Sequence, residues 1–84
     1  MNVTLKLYAT LTDYLPVDAR RTNAMSLQIA PETTVADCIG KLNLPDRLCH
    51  LVLIDGVFIP PAERQQRTLR EGETLAIWPP IAGG

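Results

Sequence analysis

Thr33-Thr34-Val35-Ala36-Asp37-Cys38-Ile39-Gly40-Lys41-Leu42-Asn43-Leu44-Pro45 decides the fold, because it holds the one convincing helix of the chain. Thr34 followed three residues later by Asp37 makes a capping-box-like start. The hydroxyl can accept an orphan amide, and the carboxylate sits at the positive end of the helix dipole. Val35, Cys38, Ile39 and Leu42 fall at i, i+3, i+4 and i+7 and form a single apolar stripe. Gly40 weakens the interior by up to about 1 kcal/mol relative to Ala. Asn43 and Pro45 end the helix.

The flanking segments read as strands. Val3-Thr4-Leu5-Lys6-Leu7-Tyr8 alternates with period two, pointing Val3, Leu5 and Leu7 inward. Ala9 to Leu15 carries a short helical turn stopped by Pro16, and Val17 to Asn23 is a polar loop containing Arg20 and Arg21. Met25 to Ile29 alternates again and ends before Pro31. Leu51-Val52-Leu53-Ile54 is apolar on both faces and runs into Asp55-Gly56, a two-residue hairpin signal, then Val57-Phe58-Ile59. Pro60-Pro61 stops that strand. The stretch from Ala62 to Arg70 is polar, with Leu69 as its core anchor and Arg64, Arg67 and Arg70 read as a solvated face. Glu71-Gly72 turns the chain into the last strand, Thr74 to Trp78.

Strand, strand, helix, strand, strand, strand predicts an α+β two-layer domain, a sheet of about five strands with one main helix packed on one face. The other face has no helix to cover it. If Val52 and Ile54 face the helix with Leu5 and Leu75, alternation puts Leu51, Leu53, Ala76 and Trp78 on that uncovered face. An exposed apolar patch marks an interaction site and Trp is favoured among interface hot spots, so these four are the candidate partner-binding residues. Trp78 against its own prolines, and Leu51 beneath the loop of residues 60–70, is the competing arrangement.

Composition narrows the function classes. The chain has 84 residues, 46% hydrophobic and 20% charged, the profile of one soluble globular domain. A net charge of −1 gives no basic footprint for nucleic acid. No apolar stretch is long enough to span a bilayer, and the start lacks the charged and apolar regions of a signal peptide, so the expected location is cytoplasmic. Cys38 and Cys49 form no CxxC pair, and with one histidine, His50, no zinc-type ligand set can be assembled. A disulfide between them is one reading. Two reduced thiols packed as small hydrophobes is the favoured one.

The sequence closes on Pro79-Pro80-Ile81-Ala82-Gly83-Gly84. Two prolines fix φ near −65° and push the chain into an extended path, so residues 1–78 are expected as the folded domain and residues 79–84 as an extended tail. Six residues beyond Trp78 reach at most about 20–22 Å. Gly83 and Gly84, lacking side chains, can thread a narrow tunnel in a partner. The Gly84 α-carboxylate, with a pKa of about 3.3–3.7, is ionised at neutral pH and can attack the α-phosphate of ATP. A frayed terminus is the ordinary reading of such an end.

The run Leu75-Ala76-Ile77-Trp78-Pro79-Pro80-Ile81-Ala82-Gly83-Gly84 resembles the end of the small, sulfur-carrying subunit of molybdopterin synthase, within the MoaD/ThiS-like sulfur carriers. Leu5-Lys6-Leu7-Tyr8-Ala9-Thr10-Leu11 and Thr33-Thr34-Val35-Ala36-Asp37 are similar to that family's opening strand and helix start. The resemblance implies a β-grasp, ubiquitin-like fold and a two-step cycle. An E1-like adenylyltransferase activates Gly84 with ATP, and a sulfur donor converts the acyl-adenylate to a thiocarboxylate. The molybdopterin synthase large subunit, or another sulfur-accepting enzyme, then takes the sulfur. The chain itself would bind no cofactor and no metal, and would act as a protein cosubstrate or subunit. The loop from Pro60 to Arg70 departs from the family pattern and leaves open another sulfur route, such as a tungsten-cofactor system or thiamine thiazole synthesis. Joining of Gly84 to lysines, as in ubiquitin-type modifiers, is the further alternative.

Overall fold

The computed structural model describes residues 1–80. Among them, five strands and one α-helix follow in the order β1 (Asn2–Leu7), β2 (Ala24–Gln28), α1 (Val35–Lys41), β3 (Leu51–Ile54), β4 (Val57–Phe58) and β5 (Thr74–Trp78). The strands form one mixed sheet ordered β2-β1-β5-β3-β4, with β1 and β5 parallel and the other neighbours antiparallel. With α1 crossing between the two halves, this is the ubiquitin-like β-grasp architecture.

Alternation fixes the core. Val3, Leu5 and Leu7 of β1, Val52 and Ile54 of β3, and Leu75 and Ile77 of β5 are buried, and they join Val35, Cys38 and Ile39 of α1 in one cluster. Each such side chain contributes about 1.5–3 kcal/mol on leaving water. Leu42, the fourth residue of the helical stripe, is half-buried and packs against the edge of the cluster.

Helix α1 has only seven residues, and its ends explain how it persists. Thr34 Oγ1 accepts from the Asp37 N–H at 3.0 Å, and Asp37 Oδ2 accepts from the Thr34 N–H at 3.1 Å, closing the capping box. The Val35 and Ala36 N–H groups donate to the carbonyls of Arg67 and Arg64, at 3.0 and 2.9 Å. The Cys38 N–H reaches Thr34 O at 3.1 Å, so all four first-turn donors are engaged within the chain. At the other end Asn43 takes φ 59°. Its N–H bonds Gly40 O while the Leu44 N–H bonds Ile39 O, a Schellman motif with Asn in the left-handed position.

The Asp55-Gly56 hairpin is as expected, with φ of 49° and 84°, the type I′ pattern that matches strand twist. Residues 9–14 form a 3-10 helix where a short helical turn was expected, and a second 3-10 turn, Val17–Ala19, lies inside the predicted loop. The arginines of residues 60–70 need correction. Arg64 donates to Cys49 O at 2.8 Å and His50 O at 3.3 Å, and Arg67 pairs with Glu73 at 2.7 Å. Only Arg70 of the three has an exposed side chain, so the segment is a clasp between α1, the start of β3 and the start of β5. Charge in a polar stretch looked like solvation because the carbonyl partners of Arg64 lie 14 and 15 residues back, and the pairing of Arg67 with Glu73 follows no helical or strand period.

Candidate functional site

The chain leaves the sheet from the end of β5, and that exit is firmly held. The Tyr8 N–H donates to Ile77 O at 3.2 Å from one side, and the His50 N–H donates to Trp78 O at 3.0 Å from the other. The Trp78 ring stacks on Tyr8 with centroids 4.2 Å apart and planes 3° from parallel. One face of the ring therefore lies on Tyr8. Pro79 follows half-buried and Pro80 is exposed. Ile81, Ala82, Gly83 and Gly84, which carry the expected chemistry, lie outside the described residues.

The face of the sheet opposite α1 carries the residues expected to meet a partner. Leu51 pairs with Trp78 and Leu53 with Ala76, so the four share one surface. Leu51 is 37% exposed. Leu53 and Trp78 are half-buried. Ala76 is 8% exposed and serves as the floor of the patch, between Lys6 and Leu53 of the adjoining strands. Two members were not singled out from sequence. Phe58 lies opposite Leu53 across the hairpin and is 49% exposed. Tyr8 continues the outward set of β1, Thr4 and Lys6, beyond the strand end. The register implied by Asp55-Gly56 could have placed Phe58, since a two-residue turn fixes which residues face each other.

The remaining reactive groups lie away from that face. Cys38 and Cys49 are free and buried, and burial pushes both thiols above their ordinary value, which suppresses thiolate chemistry. Cys49 borders a groove of about 760 Å³ on the helix side, with Gly40, Arg47, His50 and Arg64. His50 is exposed just before β3 and contributes its backbone to Trp78 and Arg64. Among the described residues, no group of three or more His, Cys, Asp or Glu side chains could hold a metal ion, and no helix is long and apolar enough to cross a membrane. What the site presents is a stiff exit with an apolar face beside it.

Comparisons with known proteins agree with this architecture. No curated protein matches the sequence. The structure is similar to the HVO 2177 protein of Haloferax volcanii, with a TM-score of 0.77 and 22% identity over 100% of this chain and 87% of that one. It is also similar to SAMP1 of Haloferax volcanii, at 0.69 and 20% over 100% of both chains. Small archaeal modifier protein 1 of Methanosarcina acetivorans gives 0.64 and 22% over 99% of this chain and 96% of that one. At these identities the likeness concerns the fold. The sequence profile of the ThiS family matches residues 15–84, from the buried Leu15 through the diglycine end, and the chain belongs to that family.

Proposed function

We propose that this chain is a sulfur carrier whose Gly84 α-carboxylate is the working group. The observation that carries the reading is the family match, which runs through the tail to Gly84. In the first step a carboxylate oxygen attacks the α-phosphorus of ATP, forming the acyl-adenylate and releasing pyrophosphate. In the second, sulfur at the sulfide level attacks the acyl carbon, the bond from that carbon to the phosphate oxygen breaks with AMP as leaving group, and loss of the proton on sulfur leaves a thiocarboxylate. ATP binding and sulfur delivery belong to an E1-like adenylyltransferase and a sulfur donor. The carrier supplies the tail and a docking surface. We assign docking of the activating enzyme to the face formed by Leu51, Leu53, Phe58, Ala76 and Trp78, because that face adjoins the strand end from which the tail departs.

The acceptor we favour is the large subunit of molybdopterin synthase, since Trp78-Pro79-Pro80 followed by Ala82-Gly83-Gly84 resembles the small subunit of that enzyme. Attachment to protein lysines is the second reading, favoured by the likeness to folds described as small archaeal modifier proteins. Adenylation is common to both, and the nucleophile that follows differs. Intact-mass measurement of chain purified from its native host, with pull-down through an amino-terminal tag, separates them. Replacement of one oxygen by sulfur at Gly84, with a molybdopterin synthase large subunit retained, is the expected result. A thiocarboxylate retained by a thiazole synthase moves the carrier to another pathway. A ladder of proteins joined through Gly84 to lysines overturns the carrier reading.

A further inference from the structure

We infer that Tyr8 is a positioning residue: by stacking on Trp78 it sets the direction in which the chain leaves the sheet, and so the fraction of docked complexes in which the tail is threaded. The inference rests on adenylation at Gly84 as proposed above. Tyr8 is itself fixed at both ends. Its N–H donates to Ile77 O at 3.2 Å, and its carbonyl accepts from the Leu11 N–H at 3.0 Å across Ala9, which sits in the left-handed region at φ 53°. The ring is thereby delivered parallel to Trp78, at 3° and 4.2 Å. Trp78 is held by its carbonyl at His50 and by its ring at Tyr8, which leaves little freedom at the last residue before two prolines. Pro79 and Pro80 have restricted φ, so orientation at Trp78 is passed to these two residues and not lost at the next bond.

The role is separable from mere contact. If Tyr8 only touched the partner, its loss would weaken docking and raise KM for the carrier with kcat unchanged. If it aims the tail, docking through Leu51, Leu53 and Phe58 persists while fewer bound carriers place Gly84 at ATP, so kcat falls. An aromatic stacking pair sustains a population ratio of about two- to twelvefold, which sets the expected loss.

The test is steady-state ATP–pyrophosphate exchange by the activating enzyme of the native host, with the carrier as varied substrate. Tyr8→Leu keeps apolar bulk just beyond the end of β1 and removes the ring; Tyr8→Phe keeps the ring and removes the hydroxyl. Fluorescence of Trp78, the only tryptophan of the chain, reports the stack without reference to activity. The expected result is a two- to twelvefold fall in kcat for Tyr8→Leu, whether or not loss of the ring from the docking face also raises KM, with altered Trp78 emission and rescue of kcat and emission by Tyr8→Phe. A folded Tyr8→Leu protein with wild-type kcat overturns the inference alone, whether or not KM rises. A wild-type chain that the enzyme does not adenylate removes the underlying reading, and this inference with it.

Discussion

Gly40 lies inside α1 with its surface exposed, and a Cβ added there would meet nothing within 4 Å. Backbone entropy is then the main quantity a substitution changes, so Gly40→Ala should stabilise the domain by up to about 1 kcal/mol, read as a raised urea midpoint at constant m-value. The thiols call for the opposite expectation. Removing Cys38 and Cys49 together takes volume from the core and should cost about 0.5–3 kcal/mol, yet the double Cys→Ala protein should still gain sulfur at its C-terminus by intact mass. Loss of transfer with the fold retained would favour a carrier that uses its own cysteine. At this scale the sequence was informative where chemistry depends on neighbours along the chain, as for Thr34 with Asp37 and Asp55 with Gly56. It was silent about Tyr8, whose partner Trp78 lies at the other end of the chain and reaches it only through parallel pairing of β1 with β5.

Helix α1 and the segment from residue 60 to 70 form one mechanical element. The segment supplies the carbonyls that satisfy the Val35 and Ala36 amides, its Leu69 N–H bonds Thr33 O at 2.9 Å, and Thr34 bridges Thr68. The clasp is locked to β5 by Glu73, which accepts from Arg67 Nη2 at 2.7 Å and from the Arg70 N–H at 2.7 Å. Burial alone would push the Glu73 carboxyl up, but these donors and the two arginine charges outweigh it and hold the carboxyl below its ordinary value. A group depressed in the fold adds stability that is present above its unfolded pKa, about 4.3, and is lost as pH falls through the folded value. Glu73→Gln should therefore lower stability at neutral pH by about 1–3 kcal/mol and flatten the loss in acid. Urea midpoints measured from about pH 7 down to about pH 3 test this, and parallel wild-type and variant profiles would count against it. The strands, hairpin and helix were legible because periodicity and turn chemistry are local. The clasp was not, since its backbone bonds to the start of α1 join residues about thirty positions apart, those of Arg64 reach back 14 and 15, and a polar arginine looks alike in solvent and in a network.

One helix for one sheet leaves the molecule with a packed face and an open one, and strand alternation decides which side chains fall on each. Val52 and Ile54 are buried, so Leu51 and Leu53 must turn outward, and the hairpin register carries Phe58 to the same side while sending Val57 to the other. Leu53 is central to the open face, paired with Ala76 on β5 and with Phe58 on β4. A carboxylate there can stay hydrated, because the position is only half-buried in the free domain, so Leu53→Asp should cost less than about 1 kcal/mol of stability. In a docked complex the same carboxylate would be desolvated without a partner. The expected loss is at least about 2 kcal/mol, roughly thirtyfold in Kd. Val57→Asp is the matched control: it adds the same charge to the same hairpin at a residue 64% exposed on the opposite side, and binding should be unchanged. Titration calorimetry against the activating enzyme, with thermal midpoints for each variant, distinguishes the outcomes. Weakening by Leu53→Asp alone supports docking through the open face. Equal weakening by both variants points to the hairpin tip or to net charge. An unfolded Leu53→Asp protein means that the open face contributes to the core, and the patch must then be probed through Phe58, whose ring is more exposed and less committed to packing.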